Sequence, residues 1–303
     1  MPVGIRRLTA GDIDGLETLI AAAHGRGDLA GSSDPEAAFF LRMASVEPEA
    51  LAVAEDDGVL VGFISPNVKV VVVEPDLRRQ GIARRLVDDG LAIEAARANP
   101  SLILGTRPDD ADALAFLRAT GFAYHSTLWD LDLPPDRPMP APAWPATVAP
   151  RPFHRDDDLE PWVALFNAAF AGHATPLQLD AALMRASKVD ADSRDEDLLL
   201  IADAADPDRF VGFAACEPRF IDGHVKPRAE IWTIGVDPSR QGQGIGRQLL
   251  RWGVSHLRGL GVETISLSVN GRNERALALY ESDGFVRTHT RDRWARPVRV
   301  GEA

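Results

Sequence analysis

Cysteine is nearly absent from this 303-residue chain: Cys216 stands alone. A lone cysteine excludes an intramolecular disulfide and any multi-cysteine zinc or iron–sulfur site. Lysine is almost as scarce, with only Lys69, Lys188 and Lys226 among the strong bases, the rest being arginine. No stretch approaches the ~18 apolar residues that a membrane-spanning helix needs. The opening MPVGIRRLTAGDIDG lacks the apolar core of a signal peptide. The seven histidines are scattered, with no H-x-x-x-H or H-E-x-x-H spacing, so metal catalysis is not expected. These absences lead to the expectation of a cytoplasmic protein without a metal and without a membrane partner.

What is present is the profile of a folded globular chain, 45% hydrophobic and 26% charged. At ~150 residues per domain the length suggests two domains. The net charge is −12, of which −9 falls in residues 1–133 and −3 in residues 134–303. Such a chain lacks the positive field on which nonspecific nucleic-acid binding depends, so no nucleic-acid partner is expected. An anionic small molecule stays compatible, because a few arginines and backbone amides can bind phosphate locally.

Residues 134–150, PPDRPMPAPAWPATVAP, hold seven prolines in seventeen positions. Proline breaks helix interiors and central strands, so this stretch reads as an extended connector. The halves on either side are related. VVVEPDLRRQGIARRLV (71–87) aligns without gaps to IGVDPSRQGQGIGRQLL (234–250) at an offset of 163, with seven of seventeen positions identical. The same offset lays DALAFLRATGF (112–122) on RALALYESDGF (275–285), with five of eleven identical. VGF at 61–63 matches VGF at 211–213, an offset of 150, so the second half carries 13 additional residues before its glycine segment. Two motifs kept in register indicate a duplication. The expected division is a first domain over 1–133, a linker over 134–147 and a second domain over 148–303.

Each half reads alike. A short strand (Ile5–Leu8; Val148–Phe153) leads to an amphipathic helix, with Asp12 and Asp156 as expected N-caps. In the second helix Leu159, Trp162, Val163, Phe166 and Phe170 fall at helical spacing. Two strands follow (Leu51–Glu55 and Val59–Ile64; Leu198–Asp203 and Phe210–Cys216). Next come a β-rich run (Val68–Val73; Glu230–Val236), the glycine segment and a helix. A strand (Ser101–Leu104; Thr264–Val269), a helix and a Gly-Phe strand start close the unit. Strands outnumber helices in mixed order, which points to an α+β fold.

A strand, then Q-G-Q-G-I-G, then an amphipathic helix is a layout suited to phosphate, because successive backbone N–H groups converge beside a helix N-terminus. It matches neither G-x-G-x-x-G nor a Walker loop. Gln241-x-x-Gly244-x-Gly246, and Arg78-x-x-Gly81-x-Ala83 in the first half, resemble the [QR]-x-x-G-x-[GA] signature of the GNAT acetyltransferases. NGRNERALALYESDGF (270–285) is similar to that superfamily's next motif, N-x-x-A-x-x-[LF]-Y-x-x-x-G-F. The resemblance implies two tandem GNAT (acyl-CoA N-acyltransferase) domains, each a mixed, mostly antiparallel sheet flanked by helices, with acetyl-CoA as co-substrate. It implies an acetyl carbonyl near the backbone of Ile234, Gly235 and Val236. Gln241, Gly242, Gln243, Gly244, Ile245, Gly246 and Arg247 would surround the pyrophosphate, with Asn273 on the pantetheine side. The first-half counterparts are Val73, Arg78, Gly81, Ala83 and Arg84.

Acyl transfer to an amine needs a base for the ammonium and an acid for the departing thiolate. The resemblance puts Tyr280 at the general-acid position and Glu230 at the general-base position. At the offset of 163 the first half holds Leu117 and Asn67 there, neither able to do acid–base work near neutral pH. The first half therefore reads as catalytically degenerate, either still binding CoA or only buttressing the second. The segment FNAAFAGH (166–173) and the tandem layout resemble mycothiol synthases, which acetylate a cysteinyl amine, with His173 a candidate substrate contact. The chain departs from their V-E-S-D-N where it reads VNGRN (269–273). The leading expectation is a monomeric or homodimeric N-acetyltransferase acting on a small-molecule primary amine. A mycothiol-type acceptor, a peptide or protein acceptor, and a non-catalytic acyl-CoA sensor are the alternatives.

Overall fold

A computed structural model describes residues 3–29, 41, 44–172, 179–189, 194–221 and 223–298. The chain forms two compact units, residues 1–128 with 290–303, and residues 129–289.

The first unit opens with β1 (Gly4–Arg7) and the helix Ile13–Gly25. β2 (Ala52–Asp56), β3 (Val59–Ser65) and β4 (Val70–Val73) complete an antiparallel sheet in the order β1-β2-β3-β4. Asp57 and Gly58, both at positive φ, make the tight turn that a two-residue hairpin requires. Helix 13–25 buries Leu16, Leu19, Ile20 and Ala23, a single stripe, against Val53, Phe63 and Val72. Each large aliphatic so buried is worth roughly 1.5–3 kcal/mol. On a second core, Ile82, Leu86, Val87 and Ile93 of helix Ile82–Ala96 meet Ala54, Ile64, Leu102 and Leu104. Gly90 in that helix has no room for a side chain, since a Cβ would lie 2.6 Å from Ile64 Cδ1.

β5 (Ser101–Thr106), the helix Ala111–Ala119 and the start of β6 (Ala123–Leu133) follow. The partner of β5 is the last strand of the chain, β14 (Val286–Pro297), whose residues Asp292–Pro297 run antiparallel to it. Residues 290–297 therefore belong to the first unit and 129–133 of β6 to the second. The sequence division at 133 and 148 places both segments in the opposite units. Repeat alignment traces the descent of a segment, whereas strand pairing is decided by which sheet edge lies open to it.

The second unit contains β7 (Val148–Pro152), β8 (Leu198–Asp203), β9 (Asp206–Glu217), the hairpin β10 (Phe220–Ile221) and β11 (His224–Val225), β12 (Arg228–Val236) and β13 (Thr264–Asn270). Its sheet runs β6-β13-β12-β9-β8-β7. β12 and β13 are parallel, whereas β7, β8, β9 and β12 pair antiparallel in turn. Helix Leu159–Phe170 buries Leu159, Trp162, Val163 and Phe166, as the spacing predicts. Helix Ile245–Gly259 lays Leu250, Val254 and Leu257 on Ile231, Ile265 and Leu267. Its Gly253 repeats the close approach of Gly90, with a Cβ position 2.9 Å from Ile231 Cδ1.

Residues 134–147 form neither helix nor strand, yet they are not a bare spacer. Met139 and Trp144 pack on the two cores of the second unit, and Ala143 N–H donates to Gln248 Oε1 at 2.8 Å. Two local expectations are corrected. β4 starts at Val70 because Ser65–Lys69 is a turn, closed by Lys69 N–H on Ser65 O at 2.8 Å. The N-cap position of the second unit's first helix is Asp158, not Asp156, and its carboxylate makes no capping bond but accepts from His154 N–H at 2.7 Å. Asp12 stands at the N-cap of its helix with no side-chain capping bond, its carboxylate being held by Arg6 and Thr9.

Candidate functional site

The parallel pairing of β12 and β13 is short. It covers Arg228, Ala229 and Glu230 against Thr264, Ile265 and Ser266, and the strands then part. On the other side of β12 the register to β9 shifts between Ile231 and Thr233. Trp232 is thus an extra residue, and a bulge of this kind bends its strand and re-aims the residues beyond it. A cavity of about 900 Å³ occupies the gap, walled by residues 231–236 of β12 and 267–270 of β13. Phe170 at the end of helix 159–170 and Ala276, Leu279 and Tyr280 of helix Glu274–Ser282 also line it.

The glycine loop closes one end of the gap. Gly242 and Gly244 adopt φ +83° and +82°, a conformation that costs most other residues about 1–2 kcal/mol. Gly244 is the N-cap of helix 245–259 and supplies no side-chain cap. The first-turn N–H groups of that helix are therefore donors awaiting a partner. Arg240, Arg247 and Arg275 line the same cavity, and among the described residues no aspartate or glutamate does. Arg240 is ion-paired with Asp203 at 2.7 Å and Arg247 with Asp283 at 3.4 Å, so the wall presents guanidinium donors held in place by acids behind them, suited to a phosphorylated ligand.

Of the residues expected around the pyrophosphate and acyl group, Ile234, Gly235, Val236, Gln241, Gly242, Gly244, Ile245, Gly246, Arg247 and Asn273 all line the cavity. Gln243 does not; its side chain is exposed. Gln241 turns inward, its Nε2 donating to Val236 O at 3.3 Å, so it closes the loop on the strand end. Arg247 is tied to Ser282 Oγ at 3.0 Å and to Asp283 at 3.4 Å. Asn273 caps helix 274–282, its Oδ1 accepting from Ala276 N–H at 3.1 Å. That bond holds the amide at the cavity wall.

Tyr280 packs on Phe285 with ring centroids 6.1 Å apart and lines the cavity. Burial pushes its phenol up to about 12, so it carries its proton throughout the neutral range. Glu230 occupies the last paired position before the strands part, next to Ile231, but is not itself in the cavity wall. His173 lies outside the described residues.

The sequence reading missed Arg240, Arg275 and Trp232, and it named Phe170 for the stripe of its helix, whereas that ring is half-buried and lines the cavity. An exception to the offset carried a usable signal for Arg275, whose counterpart is Asp112. Trp232 could not be found from spacing, because its place follows from the bulge. Its ring is stacked on Phe166 at 5.7 Å and 7°, and Lys188 Nζ sits 4.0 Å from the ring centroid.

The first unit repeats the loop. Arg79 and Gly81 take φ +64° and +82° at the positions of Gly242 and Gly244. Arg78 Nε donates to Val73 O at 3.0 Å, as Gln241 does to Val236, and Asp110 caps its helix as Asn273 does. Ala83 packs on the core and Arg84 is exposed. The strands differ, however: Gly105 N–H donates to Lys69 O at 2.7 Å, at the level where β12 and β13 have already parted. Arg107 Nη1 reaches Gly27 O at 3.0 Å, and Arg78 Nη2 reaches Asp28 Oδ2 at 2.8 Å.

Comparison with known proteins agrees with this geometry. The family model described as Acetyltransferase (GNAT) family matches twice, over residues 21–122 and 175–285. A mycothiol acetyltransferase of Salinispora arenicola is 32% identical over 294 residues, 93% of this chain and 92% of that one. One from Propionibacterium freudenreichii subsp. shermanii is 33% identical over 253 residues, 82% of this chain and 78% of that one. Among solved structures, a tandem GNAT protein from the clavulanic acid biosynthesis pathway superposes with a TM-score of 0.66 at 18% identity, covering 99% of both chains. With two family matches, one in each half, and a fold shared along its length, the chain belongs to the GNAT acetyltransferases as a tandem-domain N-acetyltransferase.

Proposed function

We propose that the second unit holds the working centre and moves an acetyl group from acetyl-CoA to the primary amine of a small molecule. The observation that carries this reading is the cavity itself: strands parted beyond Glu230, helix amides without a side-chain cap, three arginines on the wall, and a protonated tyrosine beside them. Acetyl-CoA, when bound, supplies an acyl group activated as a thioester. The first-turn amides after Gly244, with Arg240, Arg247 and Arg275 nearby, would hold its phosphates. The open strand edge of Ile234–Val236 offers backbone groups to the arm and to the acyl carbonyl.

Glu230 takes a proton from the acceptor's ammonium group, through water, since the cavity wall begins at the next residue, Ile231. Tyr280 Oη keeps its proton until a thiolate leaves and then gives it up. The first unit has neither group, with Leu117 and Asn67 at the equivalent positions.

The acceptor reading favoured next is a cysteinyl amine of the mycothiol type. It is supported by mycothiol acetyltransferases that match along most of the chain. Against it stands VNGRN, without the acidic pair. The test is thiol release from acetyl-CoA against cysteinyl glucosaminyl-inositol, aminoglycosides, polyamines, amino acids and short peptides, with Tyr280→Phe in parallel. Turnover on one class, lost in the variant, supports the reading; turnover undiminished in both Tyr280→Phe and Glu230→Gln sinks it.

A further inference from the structure

Outside the cavity wall, the register of β9 against β12 creates a conflict. Glu217 lies directly opposite Glu230. Directly opposed residues of an antiparallel pair share one face, with Cβ atoms roughly 4.5–5.5 Å apart, and like charges there are destabilising. Two carboxylates so placed favour a shared proton over two charges. A base in such a pair is a poorer carboxylate than one standing alone, because its charge must form beside another.

Lys188 resolves the conflict. It stands on the helical turn Arg185–Val189, forms an ion pair with Glu217, and its side chain is only 8% exposed. The Trp232 ring, 4.0 Å from the ammonium, holds it from a second side. Stacking of Phe166 on Trp232 fixes that ring in turn. The three side chains come from positions 188, 217 and 232, and no sequence motif joins them.

We infer that Lys188 is a positioning residue for the proposed base: by taking Glu217 as its partner it lets Glu230 stand as a carboxylate beside a second carboxylate. This rests on the reading of Glu230 as base. The other groups near the pair come from each neighbouring element. β13 offers Ser266 opposite Glu230. Helix 159–170 offers the apolar Trp162 and Phe166. The 3-10 turn Asp195–Asp197 brings Asp197, held by His256 and Arg194, near Cys216, whose thiol burial pushes well up. The chain between β9 and β12 carries Arg219, His224 and Lys226, and Arg228 is paired with Asp132. Arg185 completes the set on the helical turn, beside Arg155 O.

The test is carbon-13 NMR of the full chain labelled at the glutamate side-chain carboxyl, with Glu217 and Glu230 assigned from Glu217→Gln and Glu230→Gln. In Lys188→Met the titration midpoint of the pair should rise by roughly one to three pH units, the range set by loss of an opposite charge at contact distance. Lys188→Arg should leave it unmoved, and Lys188→Met with Glu217→Gln should return Glu230 to its parental midpoint. A midpoint unchanged in Lys188→Met, or a rise that Glu217→Gln fails to reverse in a folded double variant, overturns the inference. The acid limb of kcat/KM for acetyl transfer, measured on the acceptor the panel identifies, separates the two ideas. A limb that persists in Glu230→Gln refutes the base assignment alone, whatever the NMR midpoints do.

Discussion

The two units carry the same loop on different clefts. Positive φ recurs at positions 79 and 242 and at 81 and 244, and a side chain from position 78 or 241 closes each loop on the preceding strand. In the first unit the strands beyond the loop are joined by Gly105 N–H on Lys69 O, and Arg107 and Arg78 add bonds to Gly27 and Asp28. In the second unit the corresponding strands part after Glu230 and Ser266, and the cavity follows. The lesson is that a phosphate-type loop is a local structure which survives by itself. A cleft that admits a long acyl-bearing arm depends on strand separation, which is not local.

The comparison can be broken most forcefully at Tyr280. Tyr280→Phe should lower turnover by roughly 10²–10⁴-fold, the usual contribution of a proton donor, with acetyl-CoA affinity little changed by calorimetry. Glu230→Gln should lower turnover at neutral pH and recover part of it as pH rises and the amine deprotonates unaided. Normal turnover in both would remove the catalytic distinction between the units.

Next in size is the loop. Gly244→Val places a β-branched residue at φ +82°, strain of about 1–3 kcal/mol, in a position facing the cavity. Acetyl-CoA affinity should fall by ~10-fold or more. Titration of the parent should give one equivalent per chain, kept in Gly81→Val. Two equivalents in the parent would mean that the bridge at Lys69 opens.

Two stability measurements sharpen the contrast. Burial pushes Lys69 down to about 8, with Arg293 and Arg291 adding to the effect. Between about 8 and the unfolded value near 10.5 the unfolded chain binds the proton that the folded chain has released. This residue's contribution to stability therefore rises with pH across that window, and is least favourable below it. Lys69→Met should raise the denaturation midpoint at pH 7 and remove that part of the pH dependence. Smallest is Arg79→Gly, which relieves a non-glycine residue at φ +64° and should stabilise by up to about 1 kcal/mol, read as a small rise in Tm. Destabilisation instead would mean that the Arg79 side chain contributes more than its backbone costs.

Much of this was legible in the sequence because it is local or periodic. Leu159, Trp162, Val163 and Phe166 mark one helical stripe, and all four are buried. Gly242 and Gly244 are glycines because their backbone needs positive φ. Ten of the residues expected at the ligand line the cavity. Arg240 escaped because the loop signature begins one residue later, at Gln241. Asn273 was legible as a site residue but not as a cap, since one amide can serve at both.

By itself the sequence determined the duplication, the α+β class, the loop conformation and which half keeps a tyrosine and a glutamate. Each follows from identity at a fixed offset, from periodicity or from the backbone demands of single residues. Tertiary structure alone decided where β12 leaves β13, that residues 292–297 pair with β5, and that Lys188, Glu217 and Trp232 meet. These are matters of register and edge pairing between distant segments. A shift of one residue would turn each side chain to the other face, and only the packing of the whole sheet selects against it.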